Sequence, residues 1–202
     1  MAKISRGERT RDDILQTAKR LFSLNGYFHT STSDILEAVS LSKGAFYHHF
    51  NSKEELALAV LDRLRLDYID EVIQPVQACD PGQRPRELLK RILQLNRSGQ
   101  WFNCLLLIRL IQETAQLEGD FSRAVRELTR WLIDFWTQVL RDAQTAGAIS
   151  DTYPPHRLAE LIFSALIGAI SCCEHEDIIV DTRHIAELID RGFFQPVPSP
   201  SP

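Results

Sequence analysis

The residues with the plainest chemical potential lie between Ser42 and Lys53. Ser42-Lys43-Gly44-Ala45 presents small side chains and a single lysine, a combination that lets a backbone approach a polyanion closely. Tyr47 can give its hydroxyl to a phosphate, and Lys53 can give its ammonium to another. Phe46 and Phe50, four residues apart, fall on one helical face and can anchor the segment to a core. His48 and His49 do not read as a metal pair, because neighbours on a helix point about 100° apart. The other cluster of ligating residue types, Cys172-Cys173-Glu174-His175-Glu176-Asp177, matches no common zinc spacing. No metal or cofactor is expected, and no acid/base pair or phosphate loop marks an enzyme.

The elements that must position these residues are helical. Proline is absent from Met1 to Gln74 and from Arg86 to Tyr153, which permits long helices. Ile14, Ala18 and Phe22 line one face of a helix expected over about Arg9–Leu24, which Gly26 ends. A short helix follows at about Thr32–Val39. Ser40 and Leu41 make a turn, and Ser42 can cap a second short helix, Lys43–Phe50. This is the layout of a helix-turn-helix, whose second helix enters the major groove of DNA. Ser52 can cap a longer helix reaching about Ile73, with Glu54 and Glu55 suiting its dipole.

Further helices are expected at about Pro85–Ser98, Phe102–Leu117, Asp120–Thr145, Pro154–Cys173 and Thr182–Gly192. The Pro154–Cys173 helix is apolar nearly all round, so a subunit interface is its natural cover. Ile178–Val180 is the only strand-like patch. The fold class is therefore all-α. The boundaries predicted are 1–52 for a DNA-binding domain, 53–194 for a C-terminal helical domain for effector binding and dimerisation, and 195–202 for a loose tail.

Charge separates these parts. The 202 residues carry a net charge of −4, yet residues 1–56 sum to +1 and the remainder to −5. Lys3, Arg6, Arg9 and Arg11 meet only Glu8 before Asp12, giving the electrostatic footprint of a small phosphate-contacting module on an acidic body. With 44% hydrophobic and 25% charged residues the composition is that of a globular chain, which excludes a disordered one. The longest uncharged apolar stretch, Leu161 to Cys173, falls short of the roughly 18 residues that span a bilayer. Four irregularly spaced cysteines exclude a disulfide scaffold, and the N-terminus lacks the apolar core of a secretory signal; a reducing cytoplasm is the expected location.

The stretches Gly26-Tyr27-Phe28-His29-Thr30-Ser31-Thr32-Ser33-Asp34-Ile35, Val39-Ser40-Leu41-Ser42-Lys43-Gly44-Ala45-Phe46-Tyr47-His48-His49-Phe50 and Ser52-Lys53-Glu54-Glu55-Leu56 resemble the DNA-binding domain of TetR-family transcriptional regulators over about residues 9–60. The resemblance implies an all-α homodimer with a C-terminal ligand domain, usually a repressor released by a small molecule. Carried onto this chain, it places Thr32 and Ser33 near phosphate and base edges. It turns Ser42, Lys43, Gly44 and Ala45 to the major groove and lines the backbone with Tyr47, His48, His49 and Lys53. Ser40 stands where the family often has glycine, and Ala45 where it often has Thr or Ser.

The C-terminal half resembles a subgroup of the same family, the electrophile-sensing repressors of N-ethylmaleimide reductase. The resemblance lies in Asn103-Cys104-Leu105-Leu106, Gln112-Glu113-Thr114-Ala115 and Ala143-Gln144-Thr145-Ala146-Gly147. It makes Cys104 a candidate sensor, although a buried cysteine is usually inert. Arg109 could hold an anionic effector or pair with Glu113 one turn on. Trp101, Phe102, Phe121, Trp131 and Trp136 complete the candidate effector set as apolar pocket walls or plain core. The expected function is a DNA-binding regulator whose partners are a palindromic operator, an unknown effector and a second copy, joined through the 120–145 and 154–173 helices. The rival is an all-α carrier or enzyme using the C-terminal pocket.

Overall fold

A computed structural model describes residues 5–98, 103–172 and 181–195. Among these residues there are nine α-helices and no strand: α1 (Arg6–Asn25), α2 (Thr32–Val39), α3 (Lys43–His49), α4 (Lys53–Tyr68), α5 (Arg84–Arg97), α6 (Asn103–Thr114), α7 (Asp120–Thr145), α8 (Pro155–Cys172) and α9 (Thr182–Phe193). A π-turn at Ile69–Ile73 and a 3₁₀ turn at Gln74–Val76 carry the chain on from α4. The turn at Pro75 follows from a residue that has no N–H to donate. The strand-like patch Ile178–Val180 and residues 196–202 lie outside the described residues.

Two compact units divide the chain. The first comprises residues 1–66 and 102–128, the second residues 67–101 and 129–202. Thus α6 and the start of α7, assigned from sequence to the C-terminal domain, belong to the first unit.

Periodicity explains the first unit. Ile14, Ala18 and Phe22 of α1, Ile35 of α2, Phe46 of α3 and Val60 of α4 have no exposed surface. Phe50 and Leu56 complete this interior, and Leu106 and Leu110 supply the matching face of α6. Burial of a large apolar side chain stabilises by about 1.5–3 kcal/mol, so these positions dominate the stability of the unit. α1 begins at Arg6, three residues earlier than its apolar stripe suggests. The cause is a capping box: Ser5 N–H donates to Glu8 Oε2 (2.7 Å) and Glu8 N–H donates to Ser5 Oγ (3.2 Å).

In the second unit Val139, Leu140 and Ala143 of α7 are buried with Trp136, as are Leu158, Ile162 and Leu166 of α8 and Ile189 of α9. Arg86 of α5 pairs with Asp190 of α9, and its guanidinium lies 5.9 Å from the centre of the buried Phe194 ring. The outward face of α7 is polar, whereas α8 exposes Leu161, Ser164 and Gly168 in a row. Among the described residues no helix is long and apolar enough to cross a membrane.

Candidate nucleic-acid interface

Three serine caps build the helix-turn-helix. Ser31 N–H donates to Asp34 Oδ2 (2.7 Å) while Asp34 N–H donates to Ser31 Oγ (3.1 Å), fixing the start of α2. Ala45 N–H donates to Ser42 Oγ (3.3 Å) at the start of α3, and Glu55 N–H to Ser52 Oγ (3.0 Å) at the start of α4. The hydrogen bonds from Ser31 hold the Asp34 carboxyl below its ordinary range, so the box is intact at neutral pH. Between α2 and α3 the chain reverses at Ser40, which adopts φ 54° and ψ 43°. It is the one non-glycine residue with positive φ among those described. Leu41 N–H then returns to the Leu36 carbonyl (3.0 Å).

α3 turns its apolar side inward and the remainder out. Phe46 and Phe50 are buried with ring centroids 6.0 Å apart, and the Arg11 guanidinium lies 4.7 Å from the Phe50 centroid. Lys43, Gly44, Tyr47 and His48 are exposed, and Ala45 and His49 are half-buried. A Cβ built on Gly44 would meet nothing within 4 Å. No acidic residue occurs in α3, so nothing on that helix repels phosphate. Ser33 at the start of α2 is exposed and Thr32 half-exposed. Nine of the ten expected DNA-facing residues therefore sit on or beside the outward surface of α2 and α3.

Lys53 is the exception. Its Nζ donates to the carbonyl oxygens of Tyr27 (2.8 Å) and Thr30 (2.9 Å) and lies 4.2 Å from the Tyr27 ring centroid. Burial draws its pKa down, and the Glu113 carboxylate opposes that shift. Lys53 is thus committed to the α1–α2 loop. The sequence reading missed this because both acceptors lie more than twenty residues away.

The same loop is gripped from α6. Tyr27 N–H donates to Glu113 Oε2 (2.8 Å), and Arg109 Nε donates to the Ser23 carbonyl (2.6 Å). Both side chains tie α6 to backbone, a role for Arg109 beside those expected of it from sequence. Gly26, at φ 89°, passes so close to Glu113 that a Cβ there would sit 2.1 Å from Oε1. Phe121, expected in an effector pocket, packs on Tyr27 with centroids 4.6 Å apart.

Trp101 and Phe102 lie outside the described residues. In the second unit Trp136 is buried, and Trp131 stacks on Phe135 (6.3 Å) with its edge to Tyr68 (6.1 Å). Cys104 is half-buried on α6, and burial pushes its thiol up to about 12. That shift disfavours the thiolate, the form in which a cysteine reacts with electrophiles. Among the described residues no three metal-ligating side chains converge; most of the 172–177 cluster lies outside them.

A tight serine-capped helix pair with an acid-free, outward second helix defines a helix-turn-helix DNA-binding regulator. Residues 14–60 match the family model for bacterial regulatory proteins of the tetR family. The chain is 26% identical over 163 residues to the HTH-type transcriptional repressor NemR of Escherichia coli (strain K12), covering 79% of this chain and 81% of that one. It is 27% identical over 172 residues to the HTH-type transcriptional regulator UidR of the same organism, covering 84% of each. The crystal structure of reduced NemR superposes with a TM-score of 0.79 at 22% identity over 93% of this chain and 99% of that one. That of AibR in complex with isovaleryl coenzyme A and operator DNA gives 0.75 at 23% identity, with the same coverage. Residues 14–60 thus form a TetR-type DNA-binding domain, and over most of its length the chain is similar to regulators of that family.

Proposed function

We propose that this regulator is a homodimeric repressor that leaves a palindromic operator when a small molecule binds. The observation that carries the reading is the outward row on α3. Lys43, Gly44 and Ala45 face base edges, while Tyr47, His48 and His49 meet the backbone beside Thr32 and Ser33. Phosphate contacts supply affinity and base contacts supply choice of site. Two copies of α3 read successive major grooves about 34–36 Å apart.

Release requires an effector that binds the released state better than the DNA-bound one. The double tie of α6 to Ser23 and Tyr27 supports α6 as the carrier of that change, because moving it strains the loop that feeds α2. AibR, a structural neighbour, is seen in complex with isovaleryl coenzyme A and operator DNA, and the upward shift of the Cys104 thiol by burial supports a non-covalent ligand over covalent capture. For the dimer, Leu161 on α8 and Leu188 on α9, which is 67% exposed, are the apolar surfaces in need of cover, and the charged face of α7 is not. The dimer reading therefore moves from α7 towards α8 and α9. No catalytic role is proposed.

The test is fluorescence anisotropy on the DNA upstream of the protein's own gene, with competitor DNA and a salt series. Competitor-resistant binding with a steep salt slope is expected. If selection from genomic fragments also yields no competitor-resistant site, the regulator reading fails.

A further inference from the structure

We propose that the Asn103 side chain is the polar anchor of a ligand site on α6. Its ligand carries an uncharged donor and acceptor side by side, as in a carboxamide or lactam, on an apolar body. The inference rests on the ligand-responsive reading above and names the chemistry of the ligand.

Asn103 is the first residue of α6 and is 2% exposed. Both its Nδ2 and its Oδ1 are shut off from solvent, and neither has a hydrogen-bond partner. The contrast with Arg84 is instructive. Its Nε is also buried and unpaired, but its Nη2 donates to the carbonyls of Gln77 and Cys79. Among the described residues Asn103 alone has every polar side-chain atom orphaned. Buried polar groups are almost always satisfied, and an unsatisfied one carries its full desolvation penalty. Packing alone would favour leucine at this position, as at Leu106, Leu107 and Leu110, which are buried three, four and seven residues further on along the same face.

A polar head above an apolar stripe describes a complementary ligand. A carboxamide offers one acceptor and two donors, so a second carboxamide can meet it with two antiparallel hydrogen bonds. An ionised group would find no counter-charge in that head, and its desolvation would go uncompensated. The buried, unpartnered amide carries a desolvation penalty, so a matching ligand gains from relieving it. The same helix carries Arg109 and Glu113, which hold Ser23 and Tyr27, so occupancy acts on an element already tied to the DNA-binding motif.

The experiment uses the full chain with benzamide as the probe and cumene as its apolar counterpart of similar shape. The side-chain amide signal of Asn103 is identified in ¹⁵N spectra by its loss in Asn103→Leu. Benzamide is expected to shift that signal saturably. Asn103→Leu should weaken benzamide binding at least tenfold, leave cumene binding within twofold and raise the melting temperature by about 2–4 °C. The inference is overturned if benzamide leaves the wild-type Asn103 signal unmoved, or if the variant binds benzamide as well as the wild type. It is equally overturned if the variant melts several degrees lower, which would mean that an enclosed water satisfies the amide. Operator affinity, measured on the same samples, separates this from the regulator reading. Retained operator binding with any of these failures counts against the Asn103 site alone, and absent operator binding counts against the regulator.

Discussion

The carboxylate of Glu113 accepts the backbone N–H of Tyr27 at 2.8 Å, 86 residues away in the chain. Arg109, one turn earlier on α6, takes the carbonyl of Ser23, four residues before Tyr27. Two side chains four residues apart on α6 therefore hold two backbone groups four residues apart, one on the last turn of α1 and one just beyond it. Glu113→Ala removes the acceptor and leaves a partly buried N–H, which should cost about 1–3 kcal/mol in urea unfolding. Gly26→Ala should cost a similar amount, through its positive φ and through displacement of Glu113. Because both act on one contact, the double variant should be less destabilised than the sum. Strict additivity would mean that the two residues do not share that contact.

Ser40 occupies a left-handed conformation that glycine adopts without steric cost. Ser40→Gly should stabilise the protein by about 0.5–1 kcal/mol, read as a higher urea midpoint at unchanged slope. A lower midpoint would show that the serine earns its place through an interaction other than backbone geometry.

Tyr47 and Lys43 are both exposed on α3, and the proposed function gives them different tasks. Tyr47→Phe should weaken binding across operator sequences by about tenfold or less, the worth of one phosphate hydrogen bond. Lys43→Ala should change which sequences are preferred. Selection from randomised operators decides the matter, and identical profiles for the two variants would sink the division of roles.

Cys104 should be the slow cysteine. With its thiol pushed up to about 12 from an ordinary 9.0, it holds on the order of a thousandfold less thiolate at pH 8. Mass spectrometry of maleimide labelling in the native protein should show Cys104 reacting at least tenfold more slowly than Cys79. Operator release by thiol electrophiles should not depend on Cys104→Ser.

The Ser31–Asp34 box has a pH signature. Asp34 is held below its ordinary 3.8 by the Ser31 hydrogen bonds. Its contribution is therefore present above that value and is lost as pH falls through the lowered one. The gap in melting temperature between wild type and Asp34→Asn should be widest above pH 4 and close on acidification. A gap independent of pH would mean that the charge of Asp34 plays no part.

Much of this architecture was legible from periodicity and caps. α2 and α7 begin and end where their apolar spacing and flanking residues place them, and Ser42 and Ser52 cap as their positions suggest. The outward row of α3 followed from the same reasoning. What escaped was contact over long separations. Lys53 has a phosphate-binder's residue type and position, and nothing local announces its two carbonyl acceptors. Glu113 looked like one half of an ordinary helical pair. Asn103 stood in the sequence only as the first residue of the Asn103-Cys104-Leu105-Leu106 stretch, because the want of a partner is a property of the packed interior.

A Cβ on Gly44, at the start of α3 and next to an exposed Lys43, would enter open space. New side chains can be tried there without disturbing caps, core or loop. If these positions face the operator as proposed, the address can be rewritten there independently of the machinery that decides when it is read, so a change of target need not entail a change of signal.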